Sequence, residues 1–336
     1  MHASAATSPG SSLLPALLVV LCLLYPPSGC ACFRLGKHGG NASTITSTSG
    51  GAGSSPSSSP AKWKTPQWGK MFAEALGQTG NTNDGSHTSM ECNAADELMR
   101  KRGPDNYRKA LEEYKALLEK EPDNASLKLK LANASVSLLR SVTNANAVLI
   151  DGISDSEANR KLWKQYAFTA YDLLKDLHKS QPDNPQIHVL MTEAYTYRTS
   201  SKGILKAAVT GDGLTFMKLV NQIVKSHPTY DAGVPFIFRG AFLLAAPWPL
   251  RDVPKAVEAF QAACKIEPRS LRNNYFLGVS QFHAGAWKEA AEAFTRAVGG
   301  EVESVAATEK DVAEFLKRES RRSLDVTKGK IAATKM

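Results

Sequence analysis

Cysteine is nearly missing from the part of this chain that shows any periodicity. Of five cysteines, Cys22, Cys30 and Cys32 crowd the first 32 residues and only Cys92 and Cys264 follow, which excludes a disulfide framework. Cys264 falls on an apolar helical stripe and reads as a small buried residue, without the exposed electropositive setting of a reactive thiol. Acid is missing from residues 33–73, where Arg34, Lys37, Lys62, Lys64 and Lys70 stand unopposed. A long apolar run is missing too. Leu13–Tyr25 holds 13 residues, broken by Pro15; a bilayer-spanning helix needs about 20, so no mature transmembrane span is expected, and the length is that of a signal-peptide core.

Recognisable chemistry is equally scarce. The seven histidines are scattered, without an HExxH pattern, and His178 and His188, on either side of a turn, read as surface or helix-end residues. Gly211-Asp212-Gly213 has neither the preceding strand nor the third glycine of a dinucleotide loop and reads as a turn. Glu112 and Glu113 lie on a solvated helix face. No catalytic residue, metal ligand or cofactor is therefore expected, and the chain reads as a non-enzyme. The net charge of +9 collects in residues 33–73 and in a tail holding Lys317, Arg318, Arg321, Arg322, Lys328, Lys330 and Lys335. No basic stripe interleaved with aromatics marks the middle of the chain, which argues against nucleic acid as a partner.

What the chain does have is a signature that returns with constant spacing: alanine, a large residue four on, an apolar residue three later, and proline five after that. It reads Ala110, Tyr114, Leu117, Pro122; Ala170, Leu174, Leu177, Pro182; and Ala256, Phe260, Ala263, Pro268. Ala290, Phe294 and Ala297 keep the spacing without the proline. This is a helix whose small residue admits a close neighbour, whose i+4 and i+7 positions share a buried face, and which stops before a proline. Ala256 to Ala290 is 34 residues, the tetratricopeptide period, and Leu277, Gly278, Gly285 and Trp287 fall where that repeat carries a leucine, a small contact residue, a turn glycine and an aromatic.

The expected fold is all-α, a tetratricopeptide-like solenoid of about four helix pairs over 91–300, followed by a capping helix and basic tail over 301–336. Pro122-Asp123-Asn124 supplies a turn and a cap, Pro185 a first helical position, and Pro247-Trp248-Pro249 a stop after the very apolar helix from Val234. Pro122 to Pro182 is 60 residues, 26 more than the period; the excess reads as an insertion near 144–160, with Asp151-Gly152 and Ser154-Asp155 as turns. Upstream, 1–32 reads as a signal peptide and 33–90 as a transit-peptide-like, Ser/Gly-rich segment beginning at Phe33. That order resembles the bipartite leaders of nucleus-encoded proteins of complex plastids, reached through the endoplasmic reticulum. The alternative is a flexible linker on a protein of the endomembrane lumen or a secreted one.

The runs "ADELMRKRG" near 95, "LWKQYAFTAYDLL" near 163, "APWPLRDVPKAVEAF" near 246 and "NNYFLGVSQFHAGAWKEAAEAF" near 273 resemble the tetratricopeptide-like domain of the regulator of microtubule dynamics family. More distantly, they are similar to the periplasmic lipoproteins associated with tripartite transporters. The resemblance covers about 93–320 and implies a non-enzymatic helical-repeat protein, of a kind found at organelle membranes, with lipid binding known among its members. In tetratricopeptide stacks the first helix of each pair lines the concave face. On this chain that rule selects fifteen positions, Leu129, Asn133, Val136, Val189, Glu193, Ala241, Ala245 and Val279 together with Tyr197, Phe238, Trp248, Arg272, Tyr275, Phe282 and His283, and the last seven are taken as the groove residues. The set is more apolar than a carboxylate clamp and fits a protein segment, with the chain acting as a scaffold or assembly factor; a lipid or small apolar ligand is the alternative. Whether the groove is open or filled by the insertion and the terminal helix is left undecided by the sequence.

Overall fold

In the computed structural model the described residues are 86–153, 155–203, 206–207, 210–300 and 310–334; all belong to one unit, Gln67–Met336. The leader assignments over 1–32 and most of 33–90 lie outside them. Eleven helices are described: α1 Ser86–Lys101, α2 Pro104–Lys120, α3 Ala125–Val142, α4 Glu157–Ser180, α5 Pro185–Ser200, α6 Asp212–Ser226, α7 Tyr230–Ala245, α8 Val253–Ile266, α9 Leu271–His283, α10 Trp287–Gly299 and α11 Lys310–Ala333. Between α3 and α4 a short 3₁₀ turn, Asn144–Asn146, leads into a two-stranded antiparallel hairpin. Its strands β1, Val148–Leu149, and β2, Gly152–Ile153, pair Val148 with Ile153 and Leu149 with Gly152.

Local chemistry starts the helices where the sequence asks. Asn124, Ser156, Asn184, Asp252 and Ser270 each accept a bond from a first-turn N–H of α3, α4, α5, α8 and α9, satisfying donors that an uncapped helix leaves open. Pro104 and Pro185 sit at first positions, where their missing N–H costs nothing. All twelve alanine, large and apolar signature residues of α2, α4, α8 and α10 are buried. Glycine on the preceding helix makes room for two of the rings: a Cβ on Gly240 would stand 2.6 Å from the Phe260 ring, and one on Gly278 2.7 Å from Phe294.

The first ten helices make five pairs, one more than the alanine signature counts. The additional second helix is α6, whose buried residues Phe216, Val220 and Ile223 precede Pro228 at the signature's own spacing, with phenylalanine in the place of alanine. Neighbouring helices pack in chain order, and the first helices of successive pairs also touch, α3 on α5 and α7 on α9. They form the inner, concave layer. At the amino end, Asp96 accepts from the Tyr114 hydroxyl (2.5 Å) and from Lys130 Nζ (2.7 Å), joining α1, α2 and α3.

Two features change the plain solenoid. The insertion is a hairpin laid across the concave side, with β1 against α7 and α9. The tail is no tail over the described residues: α11 is a continuous 24-residue helix that packs on α10 and α9 and reaches back to the 3₁₀ turn and α3. Val312, Ala313 and Leu316 are its buried apolar residues. Ser141 donates to Asp311 (2.6 Å), and Arg322 Nη1 to Asp151 in the hairpin turn (2.7 Å).

Candidate functional site

The hairpin and the inner helices together line a partly open chamber of about 510 Å³. Its walls are mostly apolar, with Val189 from α5, Phe216 from α6 and Ile237, Phe238, Ala241 and Phe242 from α7, and with Val148 and Ile153 of the hairpin among the lining residues. Phe216 meets Phe242 at 5.6 Å and Phe238 at 6.5 Å between ring centres, contacts that fix the rings in offset or edge-on geometry.

Charged groups also line the chamber, and nearly all of them are paired. Arg140 on α3 grips Glu193 on α5 through two bonds, Nε to Oε1 at 2.7 Å and Nη2 to Oε2 at 2.5 Å, and the Tyr197 hydroxyl donates to the same carboxylate at 3.2 Å. Asp212 holds Lys202 (2.8 Å) and Tyr195 (3.1 Å). Arg272 on α9 donates from Nη1 to the Asp231 carboxylate (2.8 Å) and from Nη2 to the Asp231 carbonyl (2.5 Å), while Asn273 donates to the Ala232 carbonyl (2.9 Å). The last two anchor a strained segment: Asp231, Ala232 and Gly233 all have positive φ, a conformation that disfavours Asp and Ala unless neighbours hold it. An ion pair taken out of water needs its remaining polar atoms bonded; the exception among these is Arg272 Nε, buried without a partner. Arg251 differs. It pairs with no carboxylate among the described residues and touches Nδ1 of His283 at 3.4 Å, whose Nε2 is 3.4 Å from the Leu149 carbonyl. A proton on Nε2 suits both contacts; burial lowers the imidazole's proton affinity, with the Leu149 bond opposing and the Arg251 charge adding to the fall.

Of the seven residues selected by the groove rule, Tyr197, Phe238, Arg272 and His283 line the chamber. Tyr275 lies beneath it, wholly buried, its hydroxyl donating to the Val148 carbonyl at 3.1 Å. Phe282 packs edge-on against Trp287 at 5.0 Å. Trp248 stands outside the wall, 59 % exposed. The sequence left open whether the insertion fills the groove; it stands in the wall as a hairpin, and the apolar run Ala147 to Ile150 ahead of Asp151-Gly152 and Ile153 is a hairpin pattern that was not read as one. His188 is corrected in part: it lies in the first turn of α5 but is buried, not at the surface, its ring tilted against His178 at 4.6 Å with His227 at 6.4 Å. No group of three or more His, Cys, Asp or Glu among the described residues is placed to hold a metal ion.

This is an all-α, tetratricopeptide-like helical-repeat protein with a chamber in its concave face. The tetratricopeptide repeat model matches residues 248–304, which span α8 to α10. No curated protein matches the chain. Similar solved structures include a thermophilic TPR protein of Thermus thermophilus, at 15 % identity, covering 69 % of this chain and 98 % of that one with a TM-score of 0.47. The MamA protein is similar at 15 % identity, over 63 % and 90 % of the two chains, with a TM-score of 0.40. The TPR2AB domain of yeast Sti1, solved as a pHSP90 complex, is similar at 14 % identity, over 71 % and 100 %, with a TM-score of 0.27.

Proposed function

We propose that this protein is a non-enzymatic binding protein whose hairpin-crossed groove holds a small apolar ligand, an acyl chain being the natural class. The observation that supports this best is the hairpin across the concave face. An extended peptide needs an open groove with exposed backbone partners, whereas an apolar chamber of about 510 Å³ is of the size and character of small-molecule sites, which run from about 300 to 1,000 Å³. The interior ion pairs are already satisfied, so an apolar guest gives up no charge pairing. The resemblance to the regulator of microtubule dynamics family, with lipid binding among its members, points the same way. The second reading is a scaffold that takes a protein segment, favoured by the tetratricopeptide match over 248–304; such a segment would have to displace the hairpin.

Native mass spectrometry of the purified full chain separates the two. A co-purified small apolar molecule is expected on the natural protein and is lost when residues 147–153 are replaced by a Gly/Ser loop that leaves the helical circular dichroism intact. A clean ligand-free mass, with peptide binding gained on replacing the hairpin, would sink the chamber reading.

A further inference from the structure

Four large apolar side chains are exposed among the described residues: Leu214 at 66 %, Trp248 at 59 %, Leu250 at 36 % and Val326 at 40 %. Three of them share one place. Leu250 lies over Gly213, where an added Cβ would be 3.8 Å from its Cδ1, so it stands beside Leu214. Trp248 precedes it by two residues in the turn closed by the Leu250 N–H to the Pro247 carbonyl at 3.0 Å. This is also where the chamber opens, since Leu250 and Arg251 are its only exposed lining residues among those described. Single exposed apolar residues need no explanation, but a cluster at the rim of a cavity marks a contact surface.

The charge around this rim is net positive. From Ala194 to Lys255 the chain has no glutamate and three aspartates, Asp212, Asp231 and Asp252, and all three are engaged, by Lys202, Arg272 and Lys255. Lys218 and Lys225 run with Leu214 along a shallow depression on the outer face of α6 and, like Arg251, are exposed and pair with no described carboxylate. A protein interface ordinarily surrounds its apolar centre with a rim of mixed polarity. An indole and two leucines beside cations that pair with no described carboxylate, the nearby aspartates being engaged already, match the surface of an anionic bilayer, where tryptophan favours the headgroup level and basic side chains are drawn to lipid phosphates and carboxylates. No described helix is long and apolar enough to cross a membrane, so contact through these residues is peripheral.

We propose that the rim of Leu214, Trp248 and Leu250, with Lys218, Lys225 and Arg251, docks on an anionic membrane surface and sets the chamber's mouth against the lipid. Vesicle binding by this surface does not require an occupied chamber, so a failed ligand search would leave it standing. In sedimentation with the full chain, phosphatidylserine–phosphatidylcholine vesicles are expected to take up more protein than pure phosphatidylcholine vesicles. A Trp248→Ala, Leu250→Ala double variant should lower partitioning at least about tenfold, given the apolar area it removes. Lys218→Gln, Lys225→Gln and Arg251→Gln together should erase the preference for the anionic vesicles. All five positions are exposed, so folding is spared, and the apolar run Leu13–Tyr25 contributes equally to every variant. Equal uptake by the two vesicle types, or uptake that the double alanine variant leaves unchanged, would overturn the proposal.

Discussion

His188 shows what a single residue contributes that spacing does not reveal. Both its ring nitrogens are buried without a partner, and burial, with smaller contributions from His178 and His227, pushes its proton affinity down to about 4 from an ordinary 6.5. His178 is shifted downward too, chiefly by burial, with Asp183 opposing. As pH falls below 6.5 the unfolded chain takes up a proton before the folded one does, so this stack loses stability between pH 6.5 and about 4 and retains it above. Thermal melts across that window should therefore fall more steeply for the natural protein than for His188→Leu, by on the order of 1–2 kcal/mol; parallel curves would show that folding leaves the ring's proton affinity unchanged. Exposure is the property least legible in the sequence at this scale. Trp248 and Tyr275 both satisfy the groove rule, yet one is at the surface and the other beneath the hairpin, because a helical period gives a face and not what covers it.

Helix pairs were largely legible because their signature is a steric device. The ring of Phe260 occupies the space that a side chain at Gly240 would need, and Phe294 does the same at Gly278, so each glycine is required by its partner's bulk, although glycine costs a helix up to about 1 kcal/mol relative to alanine. Gly240→Val or Gly278→Val should destabilise the protein by about 2–3 kcal/mol in urea titrations, and Phe294→Leu should recover part of the loss at Gly278 but none at Gly240. Recovery at both sites would mean that the two interlocks are not separate. Helix starts followed from Asn, Ser, Asp and Pro at their caps, and α6, legible as a helix from Leu214 to Ser226, was missed only as a copy of the signature because Phe216 replaces the alanine. The hairpin was legible in pattern but not in position, since two-residue strands carry too little periodicity to say which face of the stack they will cross.

At the scale of the whole molecule, α11 joins the last pair to the first long helix of the stack. Leu316 is buried at 1 % exposure against the core of α7 to α10, so Leu316→Ala should cost about 2–5 kcal/mol. Asp311→Ala, which removes one exposed bond to Ser141, should cost less than about 1 kcal/mol. A comparable loss in both variants, measured by chemical denaturation, would show that the bridge and not the apolar seat holds the helix. An ordinary solenoid is a queue: each unit touches its neighbours alone, and units can be duplicated or dropped at either end. Here α11 packs on α9 and α10 and also touches α3 and the 3₁₀ turn, with Ser141 meeting Asp311 and Asp151 meeting Arg322. One more 34-residue unit between them would rotate and displace those partners beyond reach, and one fewer would collide them. A change in repeat number therefore costs the whole seat of α11, and substitution within the units is the easier route of divergence for a gene of this kind.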